Sequence, residues 1–377
     1  MLTKEGCNKR RERLWASLPD SVEWVLISNP RHVKYFSNIW LNPVSFSAGQ
    51  TVWLHLERSG NATALADNFT LKSLSGEAYV DETVSEIWYD GKNSVENRDS
   101  KQAIALKKHF GTLDLRTGAV EEDSLAIAAL ETIQGKPELN IKLGDVIKFL
   151  RRKKEADEVE HLKTCMRACE AGHVAALEYV RAGVTDMDVY RAVHAAVLEE
   201  AGRPCVVYGD FRATNAELPK AGGLPIGYTL QDGDLYILDY SVILDGYRSD
   251  FTNTIAVGEP SSDQQALMNA CIASLEAGEE ALKADISCKT IFDLCSDTMV
   301  AKGFEPLPSH AGHGLGLEHP EPPAIVANST DTLLLGDVVT LEPGNYIHGI
   351  GGVRIERNYL ITESGSENLS HQRIALR

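Results

Sequence analysis

Residues 238–254 read LDYSVILDGYRSDFTNT, and the stretch places two carboxylates awkwardly. Leu235, Ile237, Val242 and Ile243 are strand formers, Asp245-Gly246 is a turn signal, and Thr252 and Thr254 continue a return strand. A turn centred near Leu244 and Asp245 puts Asp239 directly opposite Asp250. Like charges facing across a strand pair are destabilising. The hairpin therefore holds its acidic pair for some reason other than pairing.

A second hairpin repeats the feature. GDLYILD begins at Gly233 and GDVVTLE at Gly336, and each apolar run ends in an acid five residues after its Gly-Asp aspartate. The second copy continues as LEPGNYIHGIGGVRIE, turns around His348-Gly349-Ile350 and sets Glu342 opposite Glu356. Four carboxylates gathered on a repeated frame need positive charge, or their pKa values must rise. Two divalent cations supply the charge, and oxygen-rich sites suit Mn²⁺, Mg²⁺, Fe²⁺, Co²⁺ or Zn²⁺. Imidazoles stand close by in the sequence: PSHAGHGLGLEHPEPP carries His310, His313 and His319 between the two hairpins. Its glycines form no nucleotide fingerprint, because they do not run from a strand into a helix and no P-loop lysine follows.

The rest of the chain sets the frame. A length of 377 residues predicts two domains, and the 43% hydrophobic and 24% charged fractions are those of a globular protein. A net charge of −17 argues against nucleic acid or an anionic membrane as partner. No signal-peptide pattern or membrane-length apolar run is present, and the seven cysteines are scattered without a C-x-x-C pair. These features lead to the expectation of a cytoplasmic protein with reduced core thiols. Residues 1–150 alternate helical and strand patterns, as in a small α/β unit with a mixed sheet, and offer no chemical cluster. Residues 151–377 form the second domain. The basic run 151–154 reads as a solvated face or linker. The helix that follows it ends near Gly183. Thr185 with Asp188 caps the next helix, which ends at Gly202. His173 and His194, in these helices, read as structural.

With these motifs in hand, LDYSVILDGYRSDFTNT, GHGLGLEHPE, TLEPGNYI and GGVRIERNYLIT resemble the creatinase, prolidase and aminopeptidase P family. The resemblance covers about 150 to the C-terminus and extends more weakly to VLISNPRHVKYFSNI. It implies an α+β architecture: a C-terminal pita-bread fold, pseudo-two-fold, with a curved antiparallel sheet backed by helices, and a smaller N-terminal α/β domain. It makes Asp239, Asp250, His313, Glu342 and Glu356 the ligands of two divalent ions, manganese first, with cobalt, zinc or iron as alternatives. It implies hydrolysis of an Xaa-Pro peptide or amide bond by water activated between the ions, with Glu342 moving the proton and His319 and Arg354 assisting. It also implies a homodimer, with the N-terminal part helping to close the mouth of the site.

Three positions depart from the family pattern. Lys220 stands where a substrate-contacting histidine is expected. Ser309 occupies the position four residues before the metal histidine, so that His310 lies one residue nearer. His319 follows the metal histidine by six residues rather than seven. Lys220, His310 and His319 are the candidate substrate contacts. Their departure opens a second reading, a family offshoot acting on a small non-peptide amide or metabolite, lyase chemistry included. A third reading, a binding module that has kept the site by chance, is disfavoured by five intact ligand positions.

Overall fold

The computed structural model describes residues 1–43, 49–74 and 77–377, which form two compact units, Met1–Arg151 and Arg152–Arg377. The first unit is built on a five-stranded sheet in the order Glu82–Glu86, Ala62–Asp67, Trp53–Glu57, Trp24–Ile27, Gly118–Val120. Its central pairs are antiparallel and its two outer pairs parallel, so the sheet is mixed. The strands VLI and WLHLE fall where their apolar runs predict. Between the helix Asn68–Ser73 and the edge strand, residues 77–81 lie outside any strand, and the edge strand begins at Glu82.

The second unit repeats one plan twice. Helices Ala156–Tyr179 and Asp186–Ala201 precede the antiparallel strands Val206–Thr214, Leu235–Leu244 and Phe251–Ala256. Helices Ser262–Ala281 and Cys288–Ala301 precede the sheet that contains Gly312–Gly314, Glu321–Ile325, Val338–Leu341 and Arg357–Thr362. The capping box at Thr185 and Asp188 forms, and Gly202 ends that helix in the left-handed conformation.

The Gly-Asp echo is a repeated turn. Gln231 accepts from the amide of Asp234, and Leu334 from that of Asp337, with Gly233 at φ 91° and Gly336 at φ 89°. A glycine at the third position of such a turn takes this conformation without steric cost. Each aspartate carboxylate accepts the amide three residues before it, Gln231 in one copy and Leu334 in the other. Between the halves, Asn358 binds the backbone of Asp250 while Glu356 binds Thr252. Exchanging the halves exchanges the two contacts, which is the signature of the pseudo-two-fold.

Two expectations need correction. Asp239 does not face Asp250. The hairpin turns at Asp245 (φ 46°) and Gly246 (φ 92°), which pairs Asp239 with Thr252. The doubly positive φ matches the right-handed twist of the flanking strands, so a two-residue turn wins over the wider one. Because the register slips by two, both acids stay on one face, diagonal rather than opposite. The second hairpin keeps its expected register, Gly344 to Arg354 and Leu341 to Arg357, with Glu342 and Glu356 at the break between the two ladders. The basic run is not solvated either. Arg152 forms a buried fork with Asp337, and Lys154 a buried 2.8 Å pair with Glu321. Only Lys153 of the four is exposed. Burying such cations requires paired acids, and those partners lie far along the chain.

Cys165 and Cys169 are buried packing thiols. His173 stacks between Tyr240 and Phe251, and burial pushes its imidazole down to about 4, which leaves it neutral as a core residue. Among the described residues, no helix is long and apolar enough to cross a membrane.

Candidate metal centre

The strand Leu235–Leu244 is buried on both faces. Tyr240 donates to the Cys169 carbonyl at 2.6 Å, so its even positions face the helix Ala156–Tyr179. Alternation then turns Asp239 and Ser241 to the opposite face, toward the return strand's Asp250 and Thr252. On the other half, strand Gly312–Gly314 brings His313 beside Glu342, at 3.2 Å. The His313 imidazole donates through Nδ1 to the Gly314 carbonyl at 2.9 Å, which leaves Nε2 facing the acids.

Three overlapping clusters result: Asp239, Asp250 and Glu356; Asp250, His313 and His319; and His310, His313 and Glu342. Within each, the ligand atoms lie within 4.8 Å of one another. Asp250 and His313 each belong to two clusters, so all seven residues form one continuous patch. The five residues expected as ligands are thus gathered. His310 and His319 join them rather than standing apart. His310 lies 3.1 Å from Glu342, and His319 lies 2.8 Å from Asp250. Their side chains are 45% and 41% exposed, which puts them at the mouth, whereas Asp250 and His313 are buried.

Crowding shapes the titration. The Asp239 carboxyl is pushed up to about 6, chiefly by burial, with Asp250, Glu342 and Asp210 adding to the push against the pull of Arg354. Burial, then Asp250, Glu342 and Asp239, hold Glu356 well above the usual carboxylate range. Burial also pushes Glu342 up, but hydrogen bonds from His310 and His313 outweigh it and hold this carboxyl low. The same contact raises His313 to about 9 against its own burial.

The donor set fits hard or borderline divalent cations. Thr252 donates to Glu356 Oε2 at 2.8 Å, but buried Oε1 has no hydrogen-bond partner among the described residues. A buried carboxylate oxygen without a partner in an acidic pocket is costly unless a cation meets it.

Arg354 and Lys220 lie at one side. Arg354 contacts Asp239 directly, reaches Asp210 at 2.8 Å, and donates to the Tyr346 hydroxyl at 2.8 Å. Lys220 is exposed, with Nζ 5.1 Å from the centre of the Tyr346 ring. Sequence reasoning missed Asp210 and the hydroxyls of Ser241, Thr252 and Thr340, which bond to Asp250, Glu356 and Glu342. The threonines were legible only as strand formers, and Asp210 carries no local motif.

Residues 160–363 match metallopeptidase family M24. An uncharacterised peptidase of Staphylococcus aureus strain USA300 is 30% identical over 261 residues, 67% of this chain and 72% of that one. The fold is similar to that of an Xaa-Pro dipeptidase from Bacillus anthracis, with TM-score 0.77 and 25% identity over 98% of this chain and 99% of that one. It is also similar to the Pyrococcus horikoshii prolidase, with TM-score 0.75 and 23% identity over 99% and 100%. An X-Pro aminopeptidase from Thermotoga maritima gives TM-score 0.76 at 19% identity over 97% and 98%. The latter two likenesses concern the fold alone. The acid-and-imidazole patch, the pita-bread architecture and the match over more than half the chain lead to one assignment: this protein belongs to metallopeptidase family M24.

Proposed function

We propose that the protein is a dinuclear Xaa-Pro hydrolase, of dipeptidase or aminopeptidase type, in which Asp239, Asp250, His313, Glu342 and Glu356 hold two divalent cations. The observation that carries this reading is the continuous patch of carboxylates and imidazole, with Glu356 Oε1 at its floor lacking a hydrogen-bond partner among the described residues. When bound, such cations polarise a carbonyl and acidify water at neutral pH. The chain's own residues do the rest. Glu342, held through Oε1 by Thr340 and the two histidines, takes and returns a proton at its other oxygen, Oε2. His310 and His319, at the mouth, present imidazole to the substrate. Metal content by elemental analysis, together with turnover of an Xaa-Pro peptide panel, tests the reading. A metal-loaded protein that cleaves no member of the panel would favour the offshoot acting on a small non-peptide amide.

Lys220 supports a preference within that activity. A lysine brings a compact ammonium to the rim, beside Tyr346, whose hydroxyl accepts from the Arg354 that contacts Asp239. Repulsion from bound cations is relieved by an anionic substrate group. Short substrates with a free carboxylate near the scissile bond are therefore expected to be preferred. Amidating that carboxylate should lower kcat/KM by about tenfold or more, the effect of losing a charge-assisted hydrogen bond of about 1.5–3 kcal/mol. Lys220→Ala should shrink the difference. Equal rates on acid and amide, unchanged in that variant, would leave Lys220 without a role.

The working form we propose is a homodimer, following the family. Sedimentation at micromolar concentration should show a species of twice 41.3 kDa. A purely monomeric boundary would count against it.

A further inference from the structure

One carboxylate beside the patch is not used by the reading above. Asp210 lies on the strand Val206–Thr214, directly opposite Asp239 in the antiparallel register, so both side chains share a face. Its two oxygens do different work. Oδ1 accepts the Gly223 amide at 2.6 Å, and Oδ2 accepts Arg354 Nη2 at 2.8 Å. The same Nη2 also contacts Asp239 Oδ2. One guanidinium nitrogen is thus divided between two carboxylates, while Nη1 is held by Tyr346.

Asp210 also seats the segment after Lys220. A Cβ added at Gly222 would stand 3.1 Å from Asp210 Oδ2, and the Phe211 amide donates to the Gly223 carbonyl at 3.0 Å. The carboxylate therefore touches the loop that carries Lys220 with one oxygen. With the other it touches the cation bridging to Asp239.

We propose that Asp210 is a positioning residue: it draws part of the Arg354 guanidinium away from Asp239, keeping Asp239 open to a divalent cation, and it links that sharing to the seating of the Lys220 loop. The inference rests on the metal-site reading. A carboxylate offers a limited set of lone pairs, and a guanidinium held by charge-assisted hydrogen bonds competes with a cation for them. Without the Asp210 charge, Arg354 turns wholly to Asp239 and the cation binds less well. Coupling of this kind is reciprocal, so reseating the loop and binding the cation influence each other.

The test is Mn²⁺ binding by calorimetry on the chelator-treated full chain. Asp210→Asn is near-isosteric, and its amide oxygen can still accept from Gly223. It should raise the Mn²⁺ Kd about tenfold, equivalent to ~1.4 kcal/mol, and excess Mn²⁺ should restore turnover, which it would not do for a merely misfolded site. In an Arg354→Met background the same substitution should change Kd less than twofold, because the competitor is gone. If Asp210→Asn fails to fold, Asp210→Ser serves as the charge-removing variant, and Asp210→Glu, which keeps the charge, should stay within threefold of wild type. Unchanged Mn²⁺ affinity in the charge-removing variant overturns the inference, as does an equal loss in both backgrounds. Wild type that binds no Mn²⁺ would overturn the metal-site reading and this inference together, whereas tight wild-type binding with an unaffected variant overturns this inference alone.

Discussion

Asp250→Ala is expected to abolish metal binding and nearly all hydrolysis. Asp250 belongs to two of the three clusters, lies 2.8 Å from His319 and 3.8 Å from His313, and is steadied by Ser241 at 3.3 Å. The side chain that bonds to it from the paired strand, Ser241, offers only a hydroxyl in place of the lost carboxylate. Loss of the cations removes several kcal/mol of transition-state stabilisation; ~4 kcal/mol corresponds to about a thousandfold in kcat. The same change should act oppositely on the metal-free fold. Asp250 is a leading electrostatic cause of the raised Glu356 and one cause of the raised Asp239, so its removal relieves repulsion. Metal-free Asp250→Ala should therefore unfold at a higher temperature than metal-free wild type, while the wild type alone gains stability on adding Mn²⁺. Elemental analysis, kinetics and thermal melts read all three. Wild-type turnover in the variant would refute the assigned site.

Gly312→Ala is expected to lower kcat/KM by about a hundredfold without touching any candidate ligand. A Cβ built at Gly312 would lie 2.0 Å from the Thr340 carbonyl oxygen, a backbone atom that cannot swing aside. The strand must then move off Val338–Leu341, carrying His313 away from Glu342. A displacement of about 1 Å at a reacting centre can cost 10²-fold. The His313 amide contact to Thr340 Oγ1, now 3.2 Å, should lengthen with it. Overpacking of this kind costs ~1–3 kcal/mol of stability, which a melt should register as a modest drop with the fold retained. A fully active Gly312→Ala enzyme would show that the two strands are not held this close.

The hairpins explain what local patterns can encode. Side-chain alternation has a period of two, so Asp239 and Asp250 stay on one face whether the turn falls at Leu244-Asp245 or, as observed, at Asp245-Gly246. The error in register therefore left the chemistry intact. In the second hairpin, Glu342 and Glu356 could be paired from turn position alone, since chain neighbours set that register. The Gly-Asp echo was visible for the same reason: each copy is a four-residue turn closed within itself.

What lies beyond the strand partner was not encoded locally. Nothing near Asp210 shows that the register places it opposite Asp239, or that Arg354, far along the chain, divides its guanidinium between them. Nothing in the run 151–154 reveals that Arg152 and Lys154 are buried against Asp337 and Glu321. The spacing of His310 and His319 departs from the family, yet the loop returns both to the acids. The sequence by itself determined the acids, their shared faces and the repeated frame, because these follow from alternation and turn chemistry over a few residues. The tertiary structure alone decided which cation answers which acid and which histidine reaches the floor, because charge pairing acts through space between segments that the chain brings together only on folding.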